Sequence, residues 1–379
     1  MINLYRTVKQ IVLIFMFMSV VTSCARKEQK ADFDQYLLIG TYTAKESKGI
    51  HIYKFNSQTG DSEFVNEFEV ENPSFQVVSN NGKFVYSVSE SGNDSKVTAF
   101  AFDKKTSKLT MLNAQSTDAD PCHIAIDKTN RLLTVANYSG GSVSVFTVNE
   151  DGSINPATTY RFEGQGANLV RQEKPHLHNT IFSPDQRFVL ANDLGTDHIY
   201  SFEVKETDDG RLTLSEAVSH SLPPETGPRH SVFHPNGQFL YMLSELSGEV
   251  FVFNYEKETG TLSQVQTILA DSLKAGGSAD IHITPDGNYL YASNRLKGDG
   301  LAIFSVDKET GRLAKIGYQP TDIHPRNFLI TADGKFLLVA NRDSNTVQLF
   351  MINSNGLLTN INKEIKLSMP VCLKLISND

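Results

Sequence analysis

Six stretches of this chain repeat one pattern, a short strand, a turn of the Pro-Asp-Gly kind and a second apolar strand. The clearest copies run from Thr284-Pro285-Asp286-Gly287 to Asn294-Arg295 and from Thr331-Ala332-Asp333-Gly334 to Asn341-Arg342. Two more run from His234-Pro235-Asn236-Gly237 to Ser244-Glu245 and from Ser183-Pro184-Asp185-Gln186 to Asn192-Asp193, and degenerate copies begin at Ser79 and Asp127. Taking those turn starts as anchors, the intervals are 48, 56, 51, 50 and 47 residues. A near-constant period of this size, with β-type alternation inside each unit, predicts a β-propeller rather than a sandwich. A third and a fourth strand close each unit, as in Gly300–Val306 and Arg312–Ile316. The blades are therefore expected to be four-stranded and antiparallel.

The ends of the chain complete the count. Tyr36 to Thr43 reads as a second strand whose own first strand is missing, and Pro370 to Ile376 is a lone strand at the other end. A C-terminal strand that joins the N-terminal blade would remove the open edge. The expectation is an all-β, seven-bladed β-propeller over 36–379, with six complete copies and one shared blade.

Before the repeats, a basic segment (Arg6, Lys9) precedes an apolar run from Ile11 to Val21, which ends in Val21-Thr22-Ser23-Cys24. This reads as an export signal over 1–23, with an apolar core too short to span a bilayer comfortably. Small residues followed by Cys resemble a lipoprotein processing site, which would make Cys24 the lipidated first residue. The other reading is ordinary signal cleavage with a free cysteine. Residues 24–35 are polar and charged, a tether between membrane and domain. The expected product is exported and membrane-anchored, touching the membrane through the lipid anchor only; nothing in the sequence fixes an oligomeric state.

A net charge of −8 and the lack of a basic stripe argue against nucleic acid as a partner. Apart from Cys24 only Cys122 and Cys372 remain, so the fold does not rest on disulfides, and no Cys/His spacing suggests a metal. No nucleophile elbow, phosphate loop or dinucleotide fingerprint is present, and no cofactor is expected.

Because blades superimpose, aligned copies show where chemistry interrupts the pattern. Five residues before the anchors stand Ser74, Cys122, His178, Arg229, Ala279 and Arg326; eleven after them stand Glu90, Tyr138, Leu194, Glu245, Arg295 and Arg342. Both columns belong at one mouth of the central channel. Either the charges build a ligand site or they only satisfy one another around a solvated channel. His176 and His178 fall on one face by strand alternation. Without a third ligand in register, a proton-transfer role for one of them is preferred over a metal pair. Arg229 offers a planar fork for a carboxylate or an oxyanion, with Glu245 as its orienting partner. His123, His230 and His282 alternate away from the column or stand past it and read as structural.

Several motifs carry a family resemblance. Leu38-Ile39-Gly40-Thr41-Tyr42-Thr43, Pro175-His176-Leu177-His178, Gly227-Pro228-Arg229-His230, Ser244-Glu245-Leu246, Ala279-Asp280-Ile281-His282 with Ser293-Asn294-Arg295, and His324-Pro325-Arg326-Asn327 together resemble the seven-bladed propeller lactonases. That family includes propeller-type 6-phosphogluconolactonase and carboxy-cis,cis-muconate cyclase. The resemblance covers Tyr36 to Cys372. It implies a metal-independent lactone hydrolase acting on a small-molecule lactone, and it carries a catalytic set onto His178, Arg229, Glu245 and Arg295. His176, Arg326, Arg342 and Glu90 are the expected substrate-binding neighbours. Two alternatives stand beside hydrolysis: a lactonising cyclase of the carboxymuconate type, and an exported propeller that binds an acidic ligand without turnover. The export signal departs from the cytosolic lactonases and bears on whether the lactone carries a phosphate.

Overall fold

Seven four-stranded antiparallel sheets make up the computed structural model, which describes residues 32–44 and 46–378. The export signal, Cys24 and the tether as far as residue 31 lie outside the described residues. Blade 1 is the shared one: Pro370–Ser377 pairs with Gln35–Thr41, followed by Gly49–Phe55 and Ser62–Glu69. Its closing register runs from Gln35 opposite Ser377 to Gly40 opposite Cys372. The chain is tied down just before this strand, where Asp34 accepts hydrogen bonds from the amide and hydroxyl of Ser57 at 2.8 and 2.5 Å. Blades 2 to 7 follow in sequence, with inner strands Gln76–Val78, Pro121–Ile126, Leu177–Phe182, Pro228–Phe233, Ile281–Ile283 and Pro325–Ile330.

The repeated turns have one physical basis. In Thr284-Pro285-Asp286-Gly287 the Thr284 hydroxyl donates to Asp286 at 2.6 Å, and the Gly287 amide returns to the Thr284 carbonyl at 2.8 Å. Gly287 sits at φ +73°, the left-handed region that such a turn needs. Ser183–Asp185 and Thr331–Asp333 repeat the side-chain bond at 2.5 and 2.6 Å.

Alternation within each strand sends apolar side chains to both faces of each blade, and the faces pack blade on blade. One cluster joins Val143 and Val145 of blade 3 to Val189, Ala191 and Phe202 of blade 4. Another joins Tyr241 and Val252 of blade 5 to Leu290 and Phe304 of blade 6. Two clusters close the ring through blade 1, Leu37 and Leu373 against Leu338 and Leu349 on one side, Ile50 and Ile52 against Val85 and Phe100 on the other. The core is thus distributed between blades, which frees the hub for polar groups.

One irregularity recurs at the hub. In blades 3, 4, 5 and 7 the inner strand carries a β-bulge after its first residue: Pro228 faces Ser244 but His230 faces Leu243, leaving Arg229 as the extra residue. Cys122, His178 and Arg326 occupy the same place in their blades. A bulge sets two residues against one and interrupts strict alternation. Therefore the bulged residue and its successor can both reach the axis.

Candidate active site

The bulges and the ends of the second strands bring Arg229, Glu245 and Arg295 into one buried cluster. Glu245 Oε2 accepts from Arg229 Nε at 2.6 Å and lies 3.3 Å from Arg295 Nη2. Arg229 also donates through Nη1 to the Ala279 carbonyl, an approach left open by the small residue that blade 6 has at that column position. Gly227, at φ +61°, starts the segment; a Cβ there would lie 2.4 Å from Leu246 Cγ, so the entry to Arg229 requires glycine. Arg295 Nε donates to the Gly277 carbonyl at 2.7 Å, and its Nη1 donates to His324 Nε2 at 3.2 Å. All three members of the cluster are buried, at 1, 7 and 5 % exposure for Arg229, Glu245 and Arg295.

A third guanidinium comes from outside the repeat. Arg171, in the long connection between Arg161 and Leu177, donates to Glu245 Oε1 at 2.6 Å while its side chain stays 37 % exposed. The two columns do not contain it, but the sequence has a trace of it. The 56-residue interval that spans this connection is the longest of the five. Burial pushes the Glu245 carboxyl up, and Arg295, Arg229 and Arg171 outweigh that and hold it down at about 2. It is a carboxylate across the physiological range.

His178 lies beside this cluster, 5 % exposed, with its ring edge-on to Tyr138 at 5.4 Å. Its Nδ1 lies 3.6 Å from Cys122 Sγ, and Nε2 has no hydrogen-bond partner among the described residues. Burial lowers its pKa well below the usual histidine value, reinforced by Arg229, His230 and Arg326. A neutral imidazole is its resting form. Burial pushes the Cys122 thiol up, so that group is a packing neighbour rather than a nucleophile.

The four expected neighbours are placed differently from one another. His176 precedes the inner strand, stacks on Tyr138 at 4.3 Å, donates from Nδ1 to the Tyr138 carbonyl at 3.0 Å and meets Glu173 at 3.2 Å through Nε2. Both its nitrogens are engaged in the wall. Arg326 sits over the Tyr42 ring at 5.5 Å, and Tyr42 donates to Glu90 Oε2 at 2.9 Å, so Arg326 and Glu90 line the side supplied by blades 7, 1 and 2. Arg342 turns to Asp343 at 2.7 Å and reaches the cluster only through His324, whose Nδ1 it approaches at 3.2 Å.

Below the bulged residues lies a second polar layer. The residues after the bulges, His123 and His230, meet across the axis at 5.3 Å although blades 3 and 5 are not adjacent, and Phe75 of blade 2 reaches His230 at 6.0 Å. These rings meet one another beside His178, whose ring centroid stands 5.3 Å from that of His230. Simple alternation sends His123 and His230 away from the axis; the bulge brings them in. The readable signal was the next column, which holds His123, Asn179, His230, Asp280 and Asn327 where strand interiors are otherwise apolar.

Among the described residues no group of three or more His, Cys, Asp or Glu is arranged to hold a metal ion. Surface clefts of about 590 Å³ between blades 3 and 4 and about 760 Å³ beside Glu46 and Lys366 contain no member of the charged cluster. The chemistry is concentrated at the hub.

Fold and site together define a ring-shaped all-β protein with a buried cluster of charged and histidine side chains at its centre. Within that class the chain belongs to the seven-bladed β-propeller lactonase family, whose model matches residues 36–375. It is 39 % identical to a 6-phosphogluconolactonase of Formosa agariphila over 83 % of this chain and 91 % of that protein. It is 34 % identical to the 6-phosphogluconolactonase of Bacillus subtilis over 89 and 97 %. Among solved structures, a periplasmic gluconolactonase of Pseudomonas aeruginosa superposes with TM-score 0.86 at 29 % identity, covering 91 % of this chain and 99 % of that one.

Proposed function

We propose that this protein hydrolyses the lactone of a sugar acid to the open hydroxy acid, at the well formed by His178, Arg229, Glu245 and Arg295. The observation that carries the reading is the pairing of a neutral imidazole with one free nitrogen and guanidinium groups locked by a single carboxylate. Lactone opening needs a group that takes a proton from water and fixed positive charge where the carbonyl oxygen becomes an anion. His178 is the base, Arg229 and Arg295 hold the oxyanion and the substrate's acidic group, and Glu245 fixes the orientation of both arginines. Half-exposed Arg171 faces incoming ligand and is the donor best placed for a peripheral anionic group. The activities named for the Formosa, Bacillus and Pseudomonas relatives support this chemistry.

The test is acid release from gluconolactones with and without a 6-phosphate, followed at constant pH and corrected for spontaneous opening. The expected result is enzyme-dependent opening of the unphosphorylated lactone as well as its phosphate ester. No acceleration with any sugar lactone would overturn the reading and leave a binding propeller or a cyclase.

We also propose that the chain is exported and anchored through a lipid on Cys24, on the basic, apolar and small-residue pattern before it. Metabolic labelling with an alkyne fatty acid is expected to mark the wild-type chain and not Cys24→Ser. Equal labelling of both removes the anchor.

A further inference from the structure

The second polar layer contains a pair that the proposed hydrolysis does not use. His230 Nδ1 donates to Asp280 Oδ1 at 2.8 Å, and both side chains are buried. Asp280 Oδ2 accepts from Asn327 Nδ2 at 2.6 Å and from the Phe328 amide at 3.2 Å, and lies 3.1 Å from His282 Nε2. These contacts fix the carboxylate, which in turn fixes the tautomer of His230: the proton is on Nδ1 and the lone pair on Nε2. That Nε2 is buried and has no hydrogen-bond partner among the described residues. The ring is 95 % buried (5 % exposed) and stands 5.3 Å from His178.

Two neighbouring rings, their centroids 5.3 Å apart, therefore each present a ring nitrogen without a hydrogen-bond partner among the described residues, and a water can link such groups where there is room for it. Buried Asn179 Oδ1 and Ser74 Oγ, from the same two columns, also lack hydrogen-bond partners among the described residues. The two histidines differ in how they can carry charge. His178 has Arg229, Arg326 and His230 among its influences and no carboxylate in contact, so a lasting imidazolium there is opposed. Burial and Arg229 oppose charge on His230 too, but of His123, His178 and His230 only His230 has a carboxylate against its ring to offset them.

We propose that the Asp280–His230 pair is the proton store of the site, receiving through a bridging water the proton that His178 takes from the attacking water. The inference rests on the lactonase reading. In the first step the water oxygen bonds to the lactone carbonyl carbon, the carbonyl π pair moves onto oxygen beside the arginines, and the water's proton goes to His178 and on to His230 Nε2. In the second the oxyanion re-forms the carbonyl, the ring C–O bond breaks, and the departing alkoxide takes the proton back along the same path. Lactone and water give hydroxy acid, and both histidines return to neutral. His230 acts through His178 and is a positioning residue in this scheme.

The experiment compares wild type with His230→Phe, which fills the same space without a nitrogen, and His230→Ala, which leaves room for added imidazole. Both are expected to lose about ten- to a hundredfold in kcat with KM within about threefold, a share of the range for general acid–base groups. His230→Ala is expected to recover at least fivefold in kcat with imidazole in the buffer. His123→Phe, on the same layer without a carboxylate, is the control and should stay within about threefold of wild type. The proposal is overturned if His230→Phe, with an unchanged unfolding midpoint, keeps kcat within threefold. A loss in both variants that follows their unfolding midpoints and is not rescued by imidazole makes His230 structural and overturns it equally. A wild-type chain that opens no lactone removes the underlying reading and the relay with it, whereas an active wild type with active His230 variants removes the relay alone.

Discussion

His178→Ala is expected to lower kcat for lactone opening by about 10² to 10⁴-fold, the range that a positioned proton-transfer group contributes. The Arg229, Glu245 and Arg295 contacts do not pass through this ring, so KM is expected to move by no more than about threefold. The ring is buried against Tyr138 and His230, so the substitution also leaves a cavity and is expected to lower the unfolding midpoint, and kcat is compared at a temperature where both chains stay folded. His176→Ala is the matched control. It removes the ring stacked on Tyr138 and tied to Glu173, and should cost under tenfold. The pH profile gives a second check. Burial and the neighbouring arginines hold the His178 pKa well below 6.5, so its neutral, proton-accepting form persists as the pH falls through that value. The limb of kcat/KM assigned to this base should appear well below pH 6.5, and a fall centred near 6.5 would indicate a solvated histidine instead. A His178→Ala enzyme within threefold of wild type would take this residue out of the reaction.

How much of this was legible in the sequence depended on whether a feature obeyed the repeat. Blade number, the four strands per blade and the closing of blade 1 by Pro370–Ser377 all follow from the period and from alternation, and the structure has them. The two columns brought Arg229, Glu245 and Arg295 to one place because both columns end at the same rim. What escaped was where the chain departs from regularity. The bulge at Arg229 placed His230 on the axis against simple alternation, and with it the bond to Asp280. Arg171 escaped because it lies in a connection between blades, which no alignment of repeats samples. His176 was grouped with His178 by alternation, yet it precedes the strand, and its two nitrogens are taken up by the Tyr138 carbonyl and Glu173. Arg342 holds its register position, but Asp343 beside it in sequence competes for its guanidinium.

Glu245→Gln tests the electrostatic centre of the site, and its largest expected effect is on stability. One carboxylate is the shared counter-charge of a cluster in which Arg229 and Arg295 are buried and Arg171 is partly exposed. Replacing it by an amide of the same shape leaves two buried guanidinium groups facing each other without a counter-charge, a change that costs about 3–5 kcal/mol when one partner of a buried pair is lost. The pKa leads to a similar size. A carboxyl held down from 4.5 to about 2 corresponds to about 3 kcal/mol of stability at neutral pH. The sign follows from the depression: the folded state disfavours the proton, so this contribution is complete above pH 4.5 and is lost as the pH falls towards 2. The buried histidines add an earlier acid limb: His230 is held down at about 4, His324 at about 3, and His178 and His123 well below their usual value, so the unfolded chain takes up their protons first as the pH falls below 6.5. Urea unfolding midpoints across pH 2–7 are therefore expected to fall in two stages for the wild type. The Glu245→Gln chain should start lower by the stated amount at pH 7, keep the histidine stage, and fall less steeply than wild type below pH 4.5, where Asp280 still contributes. A variant as stable as wild type at pH 7 would mean that the three arginines find their counter-charge elsewhere, and Glu245 would lose its place as the group that holds the well together.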